Sequence, residues 1–158
     1  MRKLAILVVA LGMSVAAFAE NIGIVDARRV MSEYKQMKTI TSNLDKKRQT
    51  VENDLAKRQN DLQKEKLTLD NKGNKLTDAE KKAFEKKVND YYTLVDNKQK
   101  ELITEENKQI QDVQNKVNAA IKAVAGQGKY DVIYESAAVL YASDAKDITK
   151  DVITEINK

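Results

Sequence analysis

The side chains of this chain that could do chemistry are mainly basic, and they cluster between positions 57 and 87. That segment carries ten lysines and arginines against six acidic residues. A row of positive charges attracts anionic partners, and such attraction weakens as the salt concentration rises. The cluster therefore predicts either a site for anionic partners or an ordinary solvated helix face. Its members are Lys57, Arg58, Lys64, Lys66, Lys72, Lys75, Lys81, Lys82, Lys86 and Lys87, with Phe84 among them.

Two residue types that often carry catalysis are missing. The chain has no histidine and no cysteine, which removes the usual ligands for zinc, copper and iron and the commonest general base near neutral pH. The adjacent carboxylates Glu105 and Glu106 are expected on different sides of a helix. A helix end explains Gly126-Gln127-Gly128 better than a nucleotide loop does. We therefore predict a protein that is not an enzyme, with no catalytic residue, metal or cofactor.

The first residues have the pattern of an export signal. Arg2 and Lys3 precede an apolar run from Leu4 to Leu11, and Ala17-Phe18-Ala19 matches a cleavage site. The run is shorter than the roughly 20 apolar residues of a membrane span, although an uncleaved anchor is the alternative. We predict a signal peptide over residues 1–19. Its removal would lower the net charge from +4 to +2.

Two long helical patterns follow each other between residues 30 and 125. A leucine returns every seventh residue at Leu55, Leu62, Leu69 and Leu76, which is a heptad signature. The sequence Asn71-Lys72-Gly73-Asn74 predicts a turn, and Thr77 with Glu80 predicts a capping box at the start of the second helix. We expect that helix to end at Gly126-Gln127-Gly128 with a left-handed glycine. The pattern therefore predicts a helical hairpin about 60 Å long.

The seam of this hairpin is poor in apolar residues. Between positions 45 and 110, 18 of 66 residues are apolar, whereas 42% of the whole chain is hydrophobic. The partners of the heptad leucines are often charged, as at Arg58 and Glu65, although a well-filled coil needs two apolar positions per heptad. Leu102, Glu106 and Ile110 lie four residues apart, which is a stutter. We therefore predict a flexible arm that buries little surface.

Three aromatic residues lie just beyond the turn. Phe84, Tyr91 and Tyr92 either pack across the hairpin or remain partly exposed among the lysines. Small apolar patches on a charged scaffold suit weak, multivalent contact with unfolded polypeptides. The residues thus indicate an arm that holds a partner rather than a pocket that transforms one.

The two ends of the chain form a small body. Residues 22–26 predict a strand, and Asp26 is expected to cap a helix that begins at Ala27 and continues into the arm. Tyr130–Tyr134 and Ala138–Ala142 predict an antiparallel strand pair. Asp147 is expected to cap a last amphipathic helix. The predicted domains are the body, residues 20–40 and 111–158, and a helical-hairpin arm or tentacle, residues 41–110.

A body of this size with no disulfide has little core energy, so oligomerisation is the expected remedy. The fold class is mainly α with a small β body, and the coiled-coil arm is inserted between short strands. We predict that these strands form the oligomer contacts. The residues assigned to that contact are Ile22, Ile24, Val132, Tyr134, Val139, Leu140 and Tyr141.

The Ile-Gly-Ile-Val-Asp strand at 22–26, the charged hairpin, and the tail containing Tyr141, Asp144 and residues 146–149 resemble the OmpH family. The resemblance implies a homotrimer whose three arms enclose a cavity. It also implies an ATP-independent periplasmic holdase for unfolded outer-membrane β-barrel proteins. Contact of basic arm residues with lipopolysaccharide or another anionic lipid is implied as well.

Two other functional classes remain as alternatives. Lysine-rich helices with aromatic neighbours also bind nucleic acids, but export argues against nucleic acid as the native partner. A structural coiled-coil protein of the envelope would be expected to have a well-filled heptad seam. The leading prediction is a holdase that shields apolar surface without chemistry.

Overall fold

The computed structural model describes residues 21–158, which form a long helical hairpin on a small α/β body. The predicted signal peptide, residues 1–19, lies outside the described residues. The elements in chain order are β1 (Ile22–Val25), α1 (Ala27–Ser32), α2 (Met37–Asp70), α3 (Asp78–Gly128), β2 (Val132–Glu135), β3 (Lys146–Asp147) and α4 (Thr149–Ile156). This arrangement confirms the predicted fold class, a mainly helical chain with a small β body.

The turn at the far end of the arm follows the local sequence. Helix α2 ends at Asp70, and Gly73 adopts a left-handed φ of 50° at the start of a short 3-10 turn, Gly73–Lys75. The Thr77 hydroxyl accepts from the Glu80 N–H, and the Glu80 carboxylate accepts from the Thr77 N–H, so both halves of the capping box are present. The predicted turn and helix start are confirmed.

The sheet of the body differs from the prediction. Its order is β2-β1-β3, and β1 pairs in parallel with both neighbours. The predicted antiparallel pair is therefore wrong: Val132–Glu135 pairs with β1, and residues 136–138 form a 3-10 turn. Residues 139–142 form no strand within the described chain. The apolar pattern located extended segments, but it did not identify their partners, which lie more than a hundred residues away.

The helix that begins at Ala27 does not continue into the arm as predicted. The Asp26 carboxylate caps α1 as expected by accepting from the Arg29 N–H at 2.9 Å. The chain then breaks between α1 and α2, where the Asn157 side chain accepts from the Lys35 N–H and donates to the Glu33 carbonyl. These two bonds replace helical ones. They come from the other end of the chain, so local periodicity gave no sign of them.

The end of α3 also corrects a prediction. The left-handed residue is Lys129, with φ of 52°, rather than a glycine. The Asn21 side chain donates to the carbonyls of Gly128 and Lys129 at 2.8 and 3.1 Å. Gly128 is needed for a different reason: a Cβ there would lie 2.1 Å from the ring of Tyr130. The glycine thus makes room for an aromatic ring.

The hydrophobic core lies in the body, where the last third of α3 meets α1, α4 and the sheet. Val30, Ile148 and Val152 are fully buried. The predicted cap at Asp147 is wrong by one position: the N-cap residue of α4 is Ile148, which makes no side-chain cap bond. Asp147 instead accepts from the N–H of Thr149, the first residue of the helix, at 2.9 Å. The remaining core residues are Val25, Tyr34, Val113, Val117, Ala120 and Val124.

Candidate functional site

The predicted basic residues surround the turn at the tip of the arm, but most of them have acidic partners. Six of the ten form ion pairs within the arm: Arg58–Asp54, Lys66–Asp70, Lys72–Glu80, Lys81–Asp78, Lys86–Asp90 and Lys87–Glu65. Within residues 21–158, the other four, Lys57, Lys64, Lys75 and Lys82, make no ion pair. The positive charge available to a partner is therefore concentrated on these four lysines.

The turn is held together electrostatically. Lys72 donates to the Glu80 carboxylate, which also accepts from the Thr77 N–H at 3.0 Å and from the Thr77 hydroxyl at 2.9 Å. The bond from Lys72, followed by the bonds from Thr77, lowers the pKa of Glu80 to about 2. The charged form of Glu80 thus links the end of α2 to the start of α3.

A shallow groove of about 320 Å³ lies between the helices below the tip. Lys87 donates to both carboxylate oxygens of Glu65, at 2.7 and 2.9 Å, and so bridges α3 to α2. The apolar wall of the groove consists of Leu62, Tyr91 and Leu94. Charged residues line both sides of the groove, so apolar contact between the helices is limited here. The other lining residues are Arg58, Asp61 and Asp90.

Nearer the body, charged residues again occupy the contact between the helices. Arg48 donates to Glu106 Oε1 from Nε and from Nη2, at 2.9 and 2.6 Å. This contact raises the pKa of Arg48 above its ordinary value. The adjacent residues form a second contact: Lys47 donates to Glu105 at 3.4 Å, and the bonds from Gln109 and then Lys47 lower the pKa of Glu105. The carboxylates of Glu105 and Glu106 therefore have a structural role, because each one binds a basic residue of α2.

Burial distinguishes the arm from the body. Helix α2 has no buried residue along its 34 residues. Helix α3 has buried residues only from Val113 onward, where it enters the body. Leu55, Leu62 and Leu69 face the seam but stay half-buried. The arm is therefore held by helix propensity, ion pairs and partial apolar contact, because it has no closed core.

Several large apolar side chains of the arm are exposed. Tyr92 is 63% exposed, and it meets Tyr91 edge to face at 5.8 Å, whereas Phe84 is half-buried across the hairpin. Ile103 and Ile110 are 58% and 56% exposed. Neither isoleucine was among the predicted site residues. Their spacing of seven residues could have indicated a second apolar face beside the heptad seam.

The body also exposes an apolar surface. Leu140 and Tyr141 are 104% and 85% exposed. They border a depression of about 550 Å³ together with β1 and β2 side chains. Ile22, Ile24, Tyr134 and Val139 complete the lining predicted for the oligomer contact. Val132 is half-buried and pairs with Ile22 in the sheet instead.

No group of three or more histidine, cysteine or acidic residues is arranged to hold a metal ion within residues 21–158. None of the described helices is both long enough and apolar enough to cross a membrane.

Comparison with known proteins identifies the family. A chaperone protein Skp from Yersinia enterocolitica is 26% identical over 93% of this chain and 92% of its own. Another from Pectobacterium atrosepticum is 27% identical over 95% and 93% of the two chains. The crystal structure of a putative OmpH-like outer membrane chaperone from Caulobacter crescentus superposes with a TM-score of 0.75 at 23% identity, covering 88% and 85% of the chains. The family model for OmpH-like outer membrane proteins matches residues 21–156, and the chain therefore belongs to the OmpH-like family.

Proposed function

We propose that this protein is an ATP-independent holdase of the periplasm, which binds unfolded outer-membrane β-barrel proteins between its arms and prevents their aggregation. The observation that carries the proposal is the absence of any buried residue along α2. Relatives that match over most of the chain are chaperones by name, which supports the same function. Export by the predicted signal peptide, residues 1–19, would deliver the protein to that compartment.

The physical argument concerns the half-filled seam. Apolar side chains such as Leu62, Tyr91 and Leu94 already lie on the arm, but the arm itself covers them only in part. An unfolded client exposes apolar surface that otherwise drives aggregation. Contact between the arm and the client removes apolar surface of both proteins from water, which is favourable. Many such weak contacts retain a client without fixing its conformation, and no chemical step is needed.

We also propose that the body assembles into an oligomer, and specifically a homotrimer as the family resemblance implies. Leu140 and Tyr141 have almost no contacts of their own, and strands β2 and β3 leave sheet edges that favour pairing or cover. The exposed apolar surface next to β1 includes Tyr134 of β2, which is one of these edge strands. Sedimentation equilibrium at micromolar concentration tests this step, and a monomer would contradict it.

A light-scattering assay tests the holdase function. A urea-denatured outer-membrane β-barrel protein is diluted into buffer with and without a stoichiometric excess of this protein. We expect strong suppression of light scattering without ATP, because shielding the client requires no energy source. Equal aggregation in both samples would contradict the proposal.

A second candidate function is binding of an anionic lipid or lipopolysaccharide at the arm tip. It is favoured by Lys57, Lys64, Lys75 and Lys82, which have no acidic partner within the described residues. The test compares binding to anionic lipid vesicles before and after these four lysines are changed to glutamine. A control variant changes the paired Lys66, Lys81 and Lys86 instead. Binding that is lost only in the first variant supports this candidate, and equal binding by both variants contradicts it.

A further inference from the structure

Three exposed apolar side chains of α3 lie on one face of the arm. Tyr92 and Ile103 are eleven residues apart, and Ile103 and Ile110 are seven apart. At 3.6 residues per turn these spacings are close to three and two whole turns. The three side chains therefore form a row, which we call the α3 stripe: Tyr92, Ile103 and Ile110. All three are more than half exposed.

The α3 stripe is separate from the seam and from the basic tip. The seam face of α3 carries Val88, Leu102 and Glu106, which are half-buried, and Glu106 is bonded to Arg48 of α2. The stripe follows the neighbouring face toward the body, where α3 is buried from Val113 onward. Its length from Tyr92 to Ile110 is about 27 Å. That length matches an extended segment of about eight residues.

The residues beside the stripe indicate what it binds. Gln99, Asn107 and Gln114 share this face, are exposed, and make no side-chain hydrogen bond within residues 21–158. Each amide offers both a donor and acceptors. A polypeptide backbone presents the matching groups at every residue. The charged residues nearest Ile103 on the helix are Asp96, Lys100 and Glu106, and Glu106 is already paired with Arg48. This face therefore carries no excess of positive charge that would attract an anionic lipid.

The size of the stripe argues against a stable contact between copies of the chain. Three side chains of this kind offer a few hundred Å² at most. A stable protein interface buries about 800 Å² on each partner. A narrow row of apolar residues flanked by unpaired amides suits a weak contact that does not depend on client sequence.

We infer that the α3 stripe is a primary contact for extended, apolar segments of unfolded client polypeptides. This inference rests on the proposed holdase function, and it assigns the client contact to the middle of the arm rather than to the basic tip. The stripe binds apolar side chains of the client through Tyr92, Ile103 and Ile110. The amides beside it bind the client's main chain.

The first test uses a matched pair of variants in the full-length assembled protein. Ile103→Ser removes one exposed aliphatic side chain from the stripe, whereas Leu67→Ser removes one of similar exposure, 64%, from α2 on the side away from the seam. We expect the first variant to weaken binding of a urea-denatured porin roughly two- to threefold and the second to leave it unchanged. The triple variant Y92S/I103S/I110S should weaken binding roughly tenfold.

The outcomes separate the two proposals. If the wild-type protein does not bind the porin, the holdase function and the stripe both fail. If the wild-type protein binds and the triple variant binds equally well with unchanged helix content by circular dichroism, only the stripe proposal fails. An equal loss of binding in Ile103→Ser and Leu67→Ser would also overturn it, because the effect would then not be specific to the stripe.

A second test locates the contact directly and does not depend on the stability of a variant. A photoreactive phenylalanine derivative is placed at Ile103 or at Leu67, and each protein is irradiated with the denatured porin. We expect a covalent adduct with the porin from position 103 and little from position 67. An adduct between two copies of this chain at position 103, whether or not the porin is present, would overturn the inference.

Discussion

Arg48 of α2 and Glu106 of α3 are joined by two hydrogen bonds at a position where the heptad pattern calls for an apolar residue. Glu106 is the middle residue of the stutter between Leu102 and Ile110. A polar pair in a helical seam fixes which residues lie opposite each other, usually at some expense of stability. We therefore expect this contact to set the register of the arm.

We expect Arg48→Glu to loosen the arm near its base. Two acidic side chains would then face each other, and local hydrogen exchange around residue 48 should rise roughly two- to fivefold. The reversed pair R48E/E106R should restore most of the protection, because the two charges attract again. If the reversed pair exchanges as fast as the single variant, the contact does not set the register.

Two glycines near the end of α3 give opposite predictions. Gly128→Ala should destabilise the body by about 1–3 kcal/mol, since the new Cβ would lie 2.1 Å from the Tyr130 ring. Gly126→Ala meets nothing within 4 Å, and it should stabilise the helix by about 0.5–1 kcal/mol. Urea unfolding of both variants measures the difference. Equal effects would contradict the placement of Tyr130.

Truncating a side chain in the core of the body should lower the free energy of unfolding more than truncating one in the seam of the arm. Ile148 is fully buried, and Ile148→Ala should lower the free energy of unfolding by about 2–5 kcal/mol. Leu62 is half-buried, so Leu62→Ala should cost less than about 1.5 kcal/mol. Thermal unfolding checks both. A seam variant as damaging as the core variant would show that the arm has a true core.

The arm tip should respond to acid. The pKa of Glu80 lies below its ordinary value of 4.5, at about 2, so its bonds stabilise the folded turn at neutral pH. That contribution is lost as the pH falls from about 4.5 toward 2, because the carboxylate becomes protonated. Nuclear magnetic resonance titration of Glu80 measures this pKa directly. We expect Lys72→Met to raise it, and an unchanged value would contradict the contact.

The exposed loop after β2 provides a test of assembly. Leu140→Asp places a charge on the apolar surface of the body, so we expect a shift toward smaller species in sedimentation experiments. Leu67→Asp places the same charge on the exposed side of α2 as a control. Equal sedimentation of both variants and the wild type would show that Leu140 lies outside the oligomer contact.

Local signals in the sequence predicted the arm well. The heptad leucines, the turn around Gly73 and the Thr77–Glu80 capping box depend on residues within a few positions of each other. Helix formation is governed by such short-range interactions. The spacing of these residues was therefore sufficient to place two helices and the turn between them.

The body was predicted less well because its contacts join distant residues. Strand β1 lies between β2 and β3, which come from the other end of the chain, and its parallel pairing leaves no local signature. Asn157 stabilises the break between α1 and α2, and Asn21 binds the end of α3. A single asparagine creates no repeating sequence pattern, so the sequence gives no sign of such a long-range contact.

At the candidate site too, the sequence predicted some features and missed others. Counting charges located the basic tip, but it did not show that Lys66, Lys81 and Lys86 have partners one helical turn away. Counting apolar residues along the seam predicted weak packing of the arm. It placed Ile110 in the seam, although that side chain is 56% exposed, and it did not include Ile103.

Hydrogen exchange of the assembled protein, with and without a urea-denatured porin, tests the central claim most directly. That claim is that a client polypeptide covers apolar surface which the arm leaves open. We expect amides between residues 44 and 106 to exchange at least about tenfold faster than those of the buried segment from Val113 to Val124, and to slow when the porin is added. Uniform protection from the body to the tip, unchanged by the porin, would contradict the claim.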